Sequence, residues 1–380
     1  MMVVALLGLG TVGRAVYDIL EHQKKMPFHK TIFIKYILVR NKEKHKDIYQ
    51  DKLVTDYQQI LQDREVEVVI EMMGATISYE VIKQALLSSK HVITANKEVI
   101  AGSYIELAEL ARSKNVQLLF EAAVGGGIPI VHTLFTCAQY NDITKIQGLL
   151  NGTTNYILTS MHKNHMDFKE AVQMAQKLGF AEADPTADLE GLDMVRKIAI
   201  LSMICFHTPI SLEDIYHKGI SNVTKDIVEI IELLGYRLKL MAFSMLERQQ
   251  VIIGVEPVMI KQDALLANVD YEYNLVEYEG TACAKQTMSG KGAGPTTANS
   301  ILFDLMLLSS GYQQRYAPTK KLKTIGNGNI IARYFIKPHS TIPSKWIEKN
   351  FKEFILTKEI SAQELHTLMP SIDFYARILE

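Results

Sequence analysis

The six residues Gly8-Leu9-Gly10-Thr11-Val12-Gly13 constrain this chain more than any others. They follow a short apolar run at residues 3–7 and precede Ala15, Val16, Ile19 and Leu20 at helical spacing. Strand, glycine turn and helix, in that order, build the phosphate-binding turn of a dinucleotide fold. The first glycine permits the tight turn, the second lets the backbone approach a pyrophosphate, and the third lets helix pack on strand. The helix N-terminus then offers unpaired N–H groups to the phosphates. A lone GxGxxG says little. One that leaves a strand and opens a helix says much more.

Further strands are expected at residues 32–39, 66–70, 91–94 and 117–120, with helices such as 79–88 and 104–113 between them. This alternation implies an α/β fold, a Rossmann-type doubly wound parallel sheet that binds ligands beyond the carboxyl ends of its strands. Residues 74–78, 94–97 and 121–127 then surround the cofactor. An NAD site wants an acidic residue at the end of the second strand, where this chain has Arg40-Asn41-Lys42. A guanidinium suits a 2′-phosphate, so NADP is favoured and NAD is possible. The candidate cofactor contacts are Gly8, Gly10, Thr11, Val12, Gly13, Arg40, Lys42, Gly74, Thr94, Ala95, Lys97 and Gly294.

The middle of the chain carries a second signal. Residues 182–197 read EADPTADLEGLDMVRK, five acidic side chains and a glycine turn running into an apolar segment. After Pro185 the spacing of Leu189, Leu192, Val195 and Ile198 is helical, which sets Asp193 and Lys197 at i and i+4 on one face. A lysine beside a carboxylate at a helix start can transfer protons. The same residues also suit a solvated helix with one surface ion pair. Upstream, Gly125-Gly126-Gly127 permits backbone conformations closed to other residues, serving either a ligand or a hinge. Thr153 or Thr154 would cap the helix that follows Asn151-Gly152. A helix is expected at 168–178, ended by Gly179.

Strands at 251–255 and 271–278 imply a second, α+β domain. A glycine-rich turn at 289–297 opens a helix to Leu308, and 312–323 reads as a linker. The domains expected are 1–133 completed by 290–318, then 134–289, then a short tail at 324–380. Lys and Arg total 41 against 42 Asp and Glu, so a nucleic-acid partner is not expected. No apolar run is long enough for a bilayer, and no basic leader precedes the first strand; a cytoplasmic protein is expected. Cys137, Cys205 and Cys283 are far apart and odd in number, which fits packing roles.

Taken in order, Gly8 to Gly13, Thr94-Ala95-Asn96-Lys97, the turn at 121–129, Asn151-Gly152-Thr153-Thr154-Asn155-Tyr156, the 182–197 run and Gly290-Lys291-Gly292-Ala293-Gly294 closely resemble homoserine dehydrogenase, over roughly residues 1–320. The resemblance implies reversible oxidation of L-homoserine to L-aspartate 4-semialdehyde with NAD(P), in threonine and methionine synthesis. It implies Lys197 as general acid/base supported by Asp193, and Lys97 as a second catalytic lysine. Glu182 and Asp188 would hold the substrate ammonium, with Gly152 and Thr153 also touching substrate. Glu121 with the backbone of Val124, Gly126 and Ile128 matches a monovalent-cation site, usually sodium. A homodimer built on the second domain is also implied.

The tail reads strand 330–336, helix 344–351, strand 353–357, helix 361–369 and strand 373–378, resembling an ACT domain that lacks one strand. Three other readings compete with this one, of which another NADP-dependent amino-acid-pathway oxidoreductase of similar two-domain build would have to explain the 182–197 run differently. Aspartate semialdehyde dehydrogenase needs an activated cysteine, which none of the three resembles. A non-catalytic NADP-binding sensor would have no use for Lys97 and Lys197.

Overall fold

The computed structural model describes residues 1–22, 30–48, 50–74, 77–292, 294, 296–315, 319–328 and 330–379. The chain divides into two compact units, Met1–Gln139 with Lys291–Pro318, and Tyr140–Gly290 with Thr319–Glu380. No described helix is long and apolar enough to cross a membrane.

The first unit opens with β1 (Met2–Leu7), α1 (Thr11–His22), β2 (Ile32–Leu38), β3 (Leu53–Val54), α2 (Tyr57–Gln62), β4 (Val68–Glu71), α3 (Ser78–Leu87), β5 (His91–Thr94), α4 (Lys97–Ser113), β6 (Leu118–Leu119) and α5 (Ile130–Cys137). Every residue of β1 is buried, as a central parallel strand covered on both faces requires. The sheet order is β3-β2-β1-β4-β5-β6 and every pair is parallel. The order reverses between β1 and β4, the switch point where such sheets bind ligands. The doubly wound sheet expected from the sequence is therefore present. α4 begins at Lys97, seven residues before the expected start at 104. Gly102 and Ser103 weaken the local helical signal, but burial of Val99, Ile100 and Ala101 outweighs it.

The second unit contains β7 (Ile143–Leu149), α6 (Gly152–Asn164), α7 (Phe168–Lys177), α8 (Thr186–Leu189), α9 (Leu192–Phe206), β8 (Tyr216–His217), α10 (Lys225–Leu233), β9 (Tyr236–Glu247), β10 (Gln250–Lys261), β11 (Tyr273–Gly280) and β12 (Gln286–Lys291). β9 and β10 pair antiparallel along their whole length. Arg248 and Gln249 between them both take positive φ, the geometry of a two-residue hairpin turn. β12 also occupies part of the stretch expected to be a glycine turn.

The chain then returns to the first unit as α11 (Thr296–Ser309), where Ala298, Ile301 and Leu305 join Val4, Leu6, Val16 and Ile70 in one core. The tail runs β13 (Lys323–Ile325), β14 (Ile331–Ala332), β15 (Tyr334–Pro338), β16 (Ile347–Phe351), β17 (Phe354–Thr357), β18 (Ile360–Ser361), α12 (Ala362–Leu368) and β19 (Ile372–Ile378). Residues 344–351 are thus not the helix expected from sequence. Ile347 and Phe351 pair with Thr357 and Phe354 across a tight turn at Lys352, and these hairpin bonds override helical spacing. The second sheet has the order β12-β11-β7-β9-β10-β19-β15-β17-β16, with β8 and β13 also on β10. The tail strands β13, β15, β16, β17 and β19 continue the sheet of the second unit, and β14 and β18 pair apart from it.

Candidate functional site

Lys197 lies on α9, one turn beyond Asp193. Its Nζ stands 2.6 Å from Asp193 Oδ2, and both side chains are only 12% exposed. The expected i,i+4 pairing is present, but the single helix is not. Gly191, at φ +80, breaks the run into α8 and α9 and begins α9 with Asp193 in its first turn, where the helix dipole favours an anion. The same Nζ donates to the Leu150 carbonyl at 2.7 Å.

Asn151 joins these groups. Its Oδ1 accepts from Thr154 N at 2.8 Å and caps α6, so Thr153 and Thr154 are not the cap. An asparagine caps as well as a threonine, and here its backbone is already extended. Its Nδ2 donates to Asp188 Oδ1 at 2.7 Å and Asp193 Oδ2 at 2.9 Å, spreading one amide over two carboxylates. Burial first and the Asp193 charge second push Asp188 up, opposed by the bonds from Asn151 and Thr153 and by Lys197. Thr153 Oγ1 also donates to Phe180 O at 2.6 Å. Gly152 opens α6 against the backbone of Glu272, whose carbonyl would be 3.1 Å from an added Cβ. Further along α6, Asn155 Nδ2 donates to the carbonyls of Val269, Tyr271 and Tyr273. The buried Lys239 donates to Asn155 Oδ1 at 2.8 Å. Glu182 stands exposed between α7 and α8, where its carbonyl accepts from Gln176.

In the first unit, the glycine turn has the expected shape. A Cβ on Gly13 would lie 2.3 Å from the Gly8 carbonyl, so helix and strand could not meet as they do. Nothing lies within 4 Å of a Cβ on Gly10, which leaves the outer side of the turn open. Thr11, Val12 and Gly13 form the first turn of α1, whose amides have no partner within the helix. Gly8 N donates to Leu38 O at 3.1 Å, which brings the end of β2 beside the turn. Arg40 and Lys42 follow that end, both exposed. Gly74, φ +58, and Ala95 lie past the ends of β4 and β5, and Gly294, φ +85, precedes α11. Ala75 and Thr76 of the 74–78 segment, and Ala293 and Pro295 beside Gly294, lie outside the described residues. Thr94 is fully buried and donates to Glu71 Oε2 at 2.6 Å, so its side chain serves the fold at the strand ends. Lys97 starts α4 behind the Asn96 cap, one-third exposed and 3.5 Å from Glu98.

Glu121 is 1% exposed. Its carboxylate accepts from Val131 N at 2.8 Å and His132 N at 2.7 Å, in the first turn of α5. Burial pushes it up to about 7 against those bonds. Asp304 on α11 accepts from Glu121 N at 2.9 Å and is driven well above the usual carboxylate range, by burial first and the Glu121 charge second. Among the described residues no cationic side chain pairs with either acid. Gly125 and Gly126 take positive φ and are buried, which fits a fixed turn better than a hinge. The carbonyl of Gly126 accepts from Ser300 Oγ at 2.5 Å and that of Ile128 from Ile130 N at 2.8 Å. Val124 and Ile128 are buried beside them.

Asn151, Leu150 O, Glu71 and Asp304 were not singled out as site residues from the sequence. Asn151 alone had a signal, since asparagine before a helical run is a cap residue. The others gain their roles from partners distant in the chain.

Two family models match: "Homoserine dehydrogenase, NAD binding domain" over residues 8–121 and "Homoserine dehydrogenase" over 129–306. The chain is 40% identical to the homoserine dehydrogenase of Bacillus subtilis (strain 168), over 80% of this chain and 72% of that protein. It is similar to the crystal structure of a homoserine dehydrogenase from Thiobacillus denitrificans, with TM-score 0.90 and 30% identity, over 100% of this chain and 98% of that one. The homoserine dehydrogenase of S. aureus at pH 7.5 gives TM-score 0.80 and 33% identity at the same coverage.

Proposed function

The chain belongs to the homoserine dehydrogenase family and is an oxidoreductase of that kind, and from that premise we propose how its own residues work: Lys197 moves the proton of the substrate hydroxyl while NADP serves as the hydride carrier. Bound nicotinamide supplies the hydride chemistry. The observation that carries the proposal is the pair of acceptors around Lys197 Nζ, Asp193 Oδ2 and Leu150 O. An ammonium has three N–H groups. Two are directed to these acceptors, and the third is free for a substrate oxygen. In the reductive direction that proton goes to the forming alkoxide. In the oxidative direction the neutral amine keeps both N–H bonds and turns its lone pair to the hydroxyl. Asp193 supports Lys197. Asp188 and Glu182 take the substrate ammonium, and Gly152 and Thr153 touch the substrate beside them.

Lys97 serves as the second catalytic lysine. Dinucleotide contacts are assigned to Gly8, Gly10, Thr11, Val12, Gly13, Gly74, Thr94, Ala95, Lys97 and Gly294, with the backbone acting at Thr94. The open face at Gly10 and the amides of α1 fit a pyrophosphate. Arg40 and Lys42, beside the end of β2, fit a 2′-phosphate. Glu121, with the backbone of Val124, Gly126 and Ile128, is assigned to a monovalent cation, taken as sodium. The fit is one of charge: two buried acids lack a cationic partner among the described residues, and each occupied carbonyl keeps one lone pair. A cytoplasmic homodimer acting in threonine and methionine synthesis completes the proposal.

The test is spectrophotometric. Purified protein with L-homoserine should reduce NADP faster than NAD. Turnover favouring NAD would overturn the cofactor assignment.

A further inference from the structure

Besides β9, β10 carries three parallel partners along its length, β13, β8 and β19. β19 of the tail pairs at Val258↔Arg377 and Met259↔Ile378, and β8 pairs at Gly254↔Tyr216 and Val255↔His217. Between them Glu256 is wholly buried. Its carboxylate accepts from Arg377 Nε at 2.5 Å, Asn327 Nδ2 at 3.2 Å and Tyr375 OH at 3.4 Å. The Tyr375 hydroxyl is also 2.7 Å from that of Tyr216. The tail strand is thus fixed to β10 by a buried charge pair and to β8 by a phenol–phenol bond.

From Tyr216 the backbone runs toward the candidate site. Lys218 N donates to Val255 O at 2.8 Å, and Ile220 N donates to Leu189 O at 2.8 Å. Gly219 lies so close to the turn after α8 that an added Cβ would stand 2.2 Å from Leu189 O and 2.5 Å from Glu190 Cα. Ser221 Oγ donates to the Glu190 carboxylate. That turn closes through Gly191 N to Asp188 O at 3.0 Å, and Val255 Cγ1 is 3.0 Å from where a Gly191 Cβ would be. Asp188, in the same turn, is the residue held by Asn151.

We propose that Tyr216 is a positioning residue for the substrate: its phenol ties the tail strand β19 to the segment 216–221, which in turn sets where Asp188 stands. The inference rests on the assignment of Asp188 to the substrate ammonium. Proximity alone does not establish coupling, so the test measures it. Tyr216→Phe removes the phenol–phenol bond alone, and Tyr375→Phe removes it together with the longer bond to Glu256. Each should raise KM for homoserine about two- to tenfold, the scale of one hydrogen bond, with kcat and KM for NADP changed by less than about twofold. The double variant should be no worse than Tyr375→Phe alone, because the phenol–phenol bond is lost only once. Gly219→Ala should raise the same KM further by displacing the turn directly. If a tyrosine variant does not fold, Ser221→Ala, at an exposed position, tests the same turn from its other end and should raise KM modestly. Asp188→Asn is the control. If it raises KM for homoserine while the tyrosine and Ser221 variants change only melting temperature, the coupling is wrong and the Asp188 assignment stands. If Asp188→Asn leaves that KM unchanged, the assignment itself fails and this inference with it.

Discussion

In the second unit Asp188 and Asp193 share an asparagine amide, and Asp193 also pairs with Lys197. In the first, Glu121 and Asp304 receive backbone N–H groups and, among the described residues, no side-chain cation. Asp193, Glu121 and Asp304 are buried and Asp188 is half-buried, and the chemistry open to the two pairs differs with their partners. Burying a charge is costly unless it is paired. Asp193 has its counter-charge within the protein, so it stays available to hold a lysine that exchanges protons with a substrate. Burial favours the protonated forms of Glu121 and Asp304, and the proposed cation would offset that when they ionise. On the proposed reading, the contrast separates a site that moves protons from one that binds a cation when it ionises.

The sharpest way to break the contrast is to remove the amide bridge. Asn151→Ala takes two bonds from carboxylates and the cap from α6. Activity, as kcat/KM for homoserine, should fall by about 10²–10⁴-fold, since each of the two bonds is worth about 1.5–3 kcal/mol. Activity within a few-fold of the parent would mean that Asp188 and Asp193 need no bridge. NADP affinity, measured by titration, should hardly change.

The next test concerns the unpartnered acids. Glu121 titrates near 7 in the folded protein, above its ordinary 4.5. The unfolded chain therefore releases its proton first, and stability falls as pH rises between those values, by on the order of 3 kcal/mol in the absence of a bound cation. Sodium bound to the ionised site should offset this. Melting temperature should rise more with sodium chloride than with choline chloride at pH 8, and little at pH 5. Glu121→Gln should flatten both the pH slope and the sodium effect. An equal sodium effect at both pH values, unchanged in the Gln variant, would contradict the cation assignment.

The smallest expected effect lies at the exposed cofactor edge. Arg40→Ala should weaken NADP by about tenfold, the upper range for a solvent-facing charged bond, and leave NAD nearly unchanged. Equal losses with both cofactors would refute the 2′-phosphate role.

These sites were not equally legible in the sequence. The glycine turn was, because Gly8, Gly10 and Gly13 are required by local geometry that neighbours along the chain reveal. The Asp193–Lys197 pair was too, because i,i+4 spacing is a property of one helix. The Asn151 bridge was not: it spans 37 and 42 residues to its partners, and only the fold brings them together. The break at Gly191 was hidden by apolar residues that keep helical spacing across it. In the tail, Ile347 to Phe351 became a strand through pairing with Phe354 to Thr357, a choice settled by partners more than by propensity.

The most direct measurement is of Lys197→Ala, assayed for turnover of L-homoserine and titrated with NADP in the same preparation. The account predicts that turnover falls by about 10³-fold or more, at the upper end of what a general acid/base supplies, while NADP binds as in the parent. Turnover close to that of the parent, with NADP still bound, would contradict the role assigned to Lys197.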